Sequence, residues 1–171
     1  ARPVLAEIQA LLASSSYPTP RRTSNGFDYN RAAMLLAVLE KRGGLKVSQC
    51  DAYLNIIGGL TLDEPAADLA AVVAIASSYL DKPVPNGMAA VGEVGLSGEI
   101  RSVSHMEQRL SEVKRLGFTE CIIPAHHAVD LRERSSLELH QLWGIDEFII
   151  DTPVADGTAR VQSLRLLAQG K

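Results

Sequence analysis

Ala89-Ala90-Val91-Gly92-Glu93-Val94-Gly95-Leu96-Ser97-Gly98-Glu99-Ile100-Arg101-Ser102-Val103 is the stretch on which the reading of this chain turns. Two short apolar runs flank Gly95-Leu96-Ser97-Gly98. That is the pattern of a tight β-hairpin, because only glycine enters positive φ without steric cost. The hairpin is expected at the centre of one compact domain.

Working outward toward the N-terminus, Pro3 to Leu12 alternates Val4, Ala6, Ile8 and Ala10 against Leu5, Glu7, Gln9 and Leu11, which suits a strand with one drier face. Ser14 to Pro20 reads as a loop, its prolines excluding helix, and Arg21-Arg22-Thr23-Ser24 follows as an extended basic segment. Asp28 can cap a helix through Ala32, Leu35, Leu36, Val38 and Leu39, with Lys41 and Arg42 near its C-terminal dipole and Gly43-Gly44 ending it. Arg31 falls in the first turn, where the dipole disfavours a cation, so a partner outside the helix is expected; Asp28 or a bound phosphate could serve. Ala52 to Ile57 reads as a strand closed by Gly58-Gly59, and Pro65 as the first residue of a second helix. The alanine-rich stretch Ala66 to Leu80 implies close packing of that helix on a sheet.

On the other side of the hairpin, a third helix is expected from about His105 to Leu116, with Gly117 as its cap, and Cys121 to Pro124 as a short buried strand. Ala125 to Arg132 reads as a further helical turn or two, Leu137 to Trp143 as a strand, and Ile145 to Ile150 as a short helix or a strand. From Asp151 the chain is polar, with one last amphipathic piece, Ala159 to Leu167. The division expected is a domain over residues 1–150 and a tail over 151–171 carrying a short helix. Strands and helices mix without regular βα alternation, which indicates an α+β domain with helices packed on a mixed sheet.

Length and composition agree with that outline. At 171 residues and 46% apolar the chain can bury an ordinary core as one domain. No apolar run reaches the ~18 residues of a membrane span and no secretory signal is present, so a soluble, cytoplasmic protein with no membrane partner is expected. The chain opens Ala1-Arg2-Pro3 instead of with methionine, which suggests a piece of a longer polypeptide. Cys50 and Cys121 stand apart, with no CxxC pair, and read as buried free thiols.

The net charge of −3 is unevenly spread. Residues 1–50 hold seven cations (Arg2, Arg21, Arg22, Arg31, Lys41, Arg42, Lys46) against three acids (Glu7, Asp28, Glu40), a balance of +4 that leaves −7 for the remainder. A basic first third on an acidic body hints at a polyanion-facing surface. Arg21-Arg22, after a proline-fixed loop, suits phosphate contact, since guanidinium forks onto phosphate oxygens; a solvated edge strand is the alternative.

Other chemistries find little support. No GxxxxGK[ST] loop is present, and Gly92-Glu93-Val94-Gly95 lacks the following helix that a dinucleotide fingerprint needs. His126-His127 has no acid or cysteine at helical spacing to complete a metal site. His105, His127 and His140 could pair with Ser97 or Ser104, yet no spacing marks a triad. The acid pairs Asp63/Glu64 and Glu93/Glu99 read as caps and solvated turns, not as a general acid/base couple.

The hairpin, taken with Ala1-Arg2-Pro3-Val4-Leu5-Ala6-Glu7-Ile8-Gln9-Ala10-Leu11, Pro20-Arg21-Arg22, Asn30-Arg31 and Gly58-Gly59, resembles the C-terminal domain of the RadA (Sms) family of bacterial recombination and repair proteins over residues 1 to about 150. That domain is in turn similar to the proteolytic domain of Lon protease, which implies its ribosomal-protein-type mixed sheet with packed helices. The resemblance places Lon's catalytic serine at Ala66 and its lysine base at Glu107. A Ser–Lys mechanism needs an oxygen nucleophile and an amine that can be neutral, and neither residue type supplies one. The implication is a retained fold without peptidase activity.

For this family the resemblance implies a ring-forming module, hexameric in the whole protein, that contributes to DNA binding during ATP-driven branch migration. ATP, Mg and Zn belong to preceding domains, so no cofactor is expected in this chain. The DNA-facing candidates are Arg21, Arg22, Arg31 and Arg101, with Lys46 behind them, and contact would be to backbone phosphates without base readout. Two alternatives stand beside this reading. One is an oligomerisation scaffold in which the arginines meet the acidic body of a neighbouring subunit. The other is a residual serine peptidase using another nucleophile.

Overall fold

In the computed structural model, residues 3–127, 138–142 and 163–169 are described. The longest strand, β1 (Pro3–Ser14), has the alternation expected of it from Ala6 onward: Ala6, Ile8 and Ala10 are buried while Gln9 and Leu11 are exposed, but Val4, read onto the dry face, is exposed. It pairs antiparallel with β3 (Cys50–Ile56), whose Ala52, Leu54 and Ile56 point to the same dry side. The basic segment forms β2 (Arg22–Asn25), parallel to β3 at the sheet edge.

Between these strands lies α1 (Tyr29–Gly43), capped as its sequence implies: the Asp28 carboxylate accepts the Arg31 N–H at 2.7 Å, and Gly44 closes the helix at φ 72. Pro65 starts a single 3₁₀ turn, Pro65–Ala67, which runs into α2 (Asp68–Leu80). Every residue from Asp68 to Ser78 is buried, and a helix apolar all round belongs inside a core. Its alanines leave room for the sheet at close range, and the Ser78 hydroxyl accepts the Leu12 N–H of β1 at 2.8 Å.

Beyond α2 come β4 (Met88–Ala90), the two-residue strands β5 (Glu93–Val94) and β6 (Ile100–Arg101), α3 (Met106–Arg115), β7 (Glu120–Pro124) and β8 (Glu138–Leu142). The hairpin forms where expected, pairing Glu93 with Arg101 and Val94 with Ile100. Its place differs, however: β5 and β6 make a small ribbon separate from the main sheet, and the centre of the core is α2. Of the two turn glycines Gly98 has the positive φ, at 85; Gly95 serves close approach, since a Cβ there would run into the Glu99 carboxylate.

The tail departs most from expectation. Ser163–Gln169 is a strand, β9, in place of the short helix read for that region, and it pairs antiparallel with β1 and parallel with β4. The main sheet therefore has seven strands in the order β2-β3-β1-β9-β4-β7-β8, with parallel and antiparallel pairs. α1 and α2 cover one face; α3 covers part of the other through Met106, Leu110 and Val113, packed with Ala89, Val91 and Ile123. This is the mixed-sheet α+β architecture. The readings for residues 128–132 and 145–150 lie outside the described residues, whereas Ala125 to His127 form a turn.

Both cysteines are free, Cys121 buried and Cys50 half-buried. Burial pushes the Cys121 thiol up to about 12, so almost none of it is thiolate at neutral pH. In the native protein at pH 8, Ellman's reagent is expected to titrate Cys50, with Cys121 reacting only after urea unfolds the chain. Rapid reaction of two thiols in the native state would contradict the packing of β7.

Candidate functional site

The cations proposed from the sequence fall into two groups. Arg21, Arg22 and Lys46 come together at one corner of the sheet. The Arg22 guanidinium donates to the carbonyls of Val47 at 3.2 Å, Ser48 at 3.4 Å and Cys50, so it pins the 3₁₀ turn Val47–Gln49 to β2. Lys46 precedes that turn and is exposed. Arg21 is exposed too: its backbone N–H donates to Asp51 Oδ1 at 2.7 Å, while its guanidinium lies 4.3 Å from the centroid of the Tyr17 ring.

Lys41 and Arg42, in the last turn of α1, extend this corner. A groove of about 700 Å³ runs between α1 and the 3₁₀ turn, with Arg22, Glu40, Lys41 and Ser48 around Leu36 and Val47. Glu40 is committed within it, accepting the Ser48 N–H at 2.6 Å and its hydroxyl at 2.7 Å. Among the described residues, Arg21, Arg22, Lys41, Arg42 and Lys46 form no ion pair with a carboxylate. Sequence reasoning counted Lys41 and Arg42 in the basic first third and placed them near the helix dipole, but did not choose them as DNA-facing candidates. The signal that includes them is their spacing from Lys46, across a glycine cap that turns the chain back on the helix.

Asp51 holds the corner in shape. Its carboxylate accepts the Arg21 N–H, and that bond first, with the neighbouring Ser15 hydroxyl, holds it below the usual carboxylate range. The charged form is favoured in the fold, so this contribution is complete at neutral pH and is lost as pH falls through the lowered value.

Arg31 and Arg101 are brought together elsewhere and are engaged. Arg31 donates through Nε to Asp68 Oδ1 at 2.7 Å and through Nη2 to Asp68 Oδ2, a forked ion pair whose carboxylate is fully buried. The carboxylate that meets the Arg31 side chain is therefore Asp68, whereas Asp28 caps the backbone. Asp68 also accepts the Val94 N–H of β5 at 3.1 Å. Burial raises the Asp68 carboxyl, and the Arg31 guanidinium and Val94 N–H oppose that. Arg101 sits on Glu99 at 2.5 Å and reaches Glu93 at 3.6 Å; Arg31 reaches Glu93 from the other side at 3.8 Å.

The dyad positions are occupied as the resemblance implied. Ala66 is buried, its methyl packed with Met106 and Leu110, and its carbonyl accepts the Gly92 N–H at 3.0 Å. Glu107 is exposed in the first turn of α3. Two residues further, on the opposite side of the helix, the fully buried Arg109 makes an ion pair with Glu64 and donates to the Ser104 carbonyl at 2.9 Å. Glu64, read from sequence as a cap or turn residue, thus ties the start of α2 to α3. Arg109 was missed, although it shares the apolar stripe with Met106, Leu110 and Val113 at spacings of three and four. Ser97 donates its N–H to Glu99 at 3.0 Å, His127 accepts the Val103 N–H at 3.3 Å, and His140 lies 2.9 Å from Glu120, so these groups are placed in turns and strand contacts. No helix of the described residues is long and apolar enough to cross a membrane, and no cluster of metal-ligating residues is found among them.

A mixed sheet with the Gly92–Arg101 ribbon against the start of α2 is the architecture of one protease class, and comparison with known proteins agrees. The family model for the Lon protease (S16) C-terminal proteolytic domain matches residues 47–151, and the chain belongs to that family. Its likeness within the family is to the C-terminal Lon-like domain of RadA. DNA repair protein RadA of Streptococcus pneumoniae is 54% identical over 123 residues, 72% of this chain and 29% of that protein. RadA of Bacillus subtilis is 54% identical over 124 residues, 72% and 27%, and that of Synechocystis sp. 50% over 123 residues, 72% and 24%. The chain spans less than a third of the length of these curated relatives.

Removing Arg31 strands a buried carboxylate. Arg31→Ala is expected to cost about 3 kcal/mol, the scale for breaking a buried pair, and Arg21→Ala to stay within about 0.5 kcal/mol of wild type, as exposed positions do. Urea unfolding of both variants checks this; an Arg31→Ala variant as stable as wild type would show that the pair holds nothing together.

Proposed function

We propose that this chain is the non-proteolytic Lon-like module of a RadA-type DNA repair protein, working in the cytoplasm and touching DNA through the cation corner of Arg21, Arg22, Lys41, Arg42 and Lys46. The observation that carries this reading is the separation of charge. In a chain of net charge −3, Asp68, Glu93, Glu99, Glu64 and Glu112 are paired with Arg31, Arg101, Arg109 and Arg115, while the corner cations form no ion pair among the described residues and the corner's own acids, Glu40 and Asp51, are hydrogen-bonded to Ser48 and to the Arg21 N–H. Such a patch attracts a polyanion, and release of its counterions makes binding steeply salt-dependent. Flexible lysines and backbone-anchored arginines suit phosphates and carry no base code, so binding is independent of sequence.

The family likeness supports the rest of the proposal: assembly of the parent protein as a hexameric ring that drives branch migration by ATP hydrolysis, with ATP, Mg and Zn held by other domains. Arg31 and Arg101 leave the set of DNA contacts in this reading and become structural. The unpaired corner equally favours one alternative, a scaffold in which it meets the acidic surface of the next subunit without touching DNA.

Anisotropy of a labelled DNA titrated with the chain at several salt concentrations separates the two. Under the DNA reading, Lys41→Ala and Lys46→Ala each lower the log–log salt slope by about one unit, as one lost phosphate contact does. Absence of binding at low salt, with light scattering showing rings, would decide for the scaffold. A second expectation concerns the dyad: the chain should leave an unfolded protein substrate intact. Cleavage abolished by Ser97→Ala or Ser104→Ala would overturn the reading of Ala66 and Glu107.

A further inference from the structure

We infer that the loop between β1 and β2 presents Tyr17 and Arg21 as a base-stacking platform, and that the module therefore prefers single-stranded to duplex DNA. The inference rests on the DNA reading of the cation corner and assigns it a substrate form.

Three observations carry it. Tyr17 is 53% exposed on a loop whose own backbone is fixed, so its ring is displayed and not merely left out of the core. The Arg21 guanidinium lies 4.3 Å from the ring centroid, covering one face and leaving a flat, cationic surface. The loop is clamped at both ends: the Ser15 N–H donates to the Gln49 carbonyl at 3.2 Å, the Tyr17 N–H donates to the Ser15 hydroxyl at 3.2 Å, and Asp51 accepts the Arg21 N–H at 2.7 Å. Pro18 and Pro20 fix φ between them.

An aromatic ring beside a cationic groove is the combination by which proteins hold unpaired strands, because every base has a π-face and successive phosphates follow the charge. In a duplex those faces are already stacked on neighbouring pairs. Gln49 ends the 3₁₀ turn that also carries Val47 and Ser48, so the platform stands at the end of the groove that Arg22 and Lys41 line. An unpaired base on the Tyr17–Arg21 stack would thus leave its flanking phosphates within the field of the corner.

The test measures a labelled oligothymidine and a labelled duplex of equal length against wild type, Tyr17→Ala, Tyr17→Phe and Lys46→Ala. Tyr17→Ala is expected to weaken oligothymidine binding about tenfold, the scale of one lost base stack, with salt slope and duplex affinity unchanged. Tyr17→Phe should bind as wild type, whereas Lys46→Ala should lower the slope on both DNAs. Thermal melting should place Tyr17→Ala with wild type, since the ring packs in no core cluster. Equal loss on both DNAs, or no loss on oligothymidine, overturns the stacking platform and leaves the corner reading intact. Failure of wild type to bind either DNA at low salt overturns both.

Discussion

A carboxylate sealed from water is the constraint around which this structure is arranged. Asp68 opens α2 with no exposure, and such a charge persists only where charged and polar donors meet it. Two elements distant in sequence supply them: α1 brings the Arg31 guanidinium and β5 the Val94 N–H. Both must be in place before the charge is satisfied, so one side chain fixes α1, α2 and the ribbon relative to each other. Glu93 extends the arrangement by bridging Arg31 to Arg101 at the base of the hairpin.

The same economy of charge shapes the surface. Each carboxylate drawn into a structural pair is removed from the field that a ligand meets, and the pairs of Arg31, Arg101, Arg109 and Arg115 are of that kind. At the corner the donors of Arg22 go to backbone carbonyls, which hold the guanidinium in place without cancelling its charge. An acidic chain can therefore present a cationic face. Net charge is a poor guide to its partners, because the distribution decides the local potential.

The region to which the resemblance assigns the protease dyad is held by packing and by an ion pair. Where a nucleophile and an amine would face each other, a methyl group packs into the core and an ion pair, Arg109 with Glu64, joins the turn before α2 to α3. A buried guanidinium satisfied by a carboxylate and a carbonyl is a rigid connection between the two elements. The geometry of the family is retained by contacts of a different type.

What the sequence determined by itself was local: the alternation of β1, the Asp28 and Gly44 caps of α1, the Gly95–Gly98 turn, and the family signature on those elements. These depend on residues within a turn or a strand of one another, so periodicity and cap chemistry suffice to read them. Tertiary structure alone decided that Arg31 meets Asp68 and not Asp28, that Arg109 lies inside, and that Ser163–Gln169 is a strand between β1 and β4. An arginine's partner in an ion pair 37 positions away leaves no mark on its neighbours in the chain. A seven-residue segment that mixes apolar and polar residues, as Ser163–Gln169 does, suits helix or strand until a sheet offers it hydrogen bonds on both sides. Which cations stay unpaired is likewise a property of the folded surface, because it depends on every acid the fold has already used.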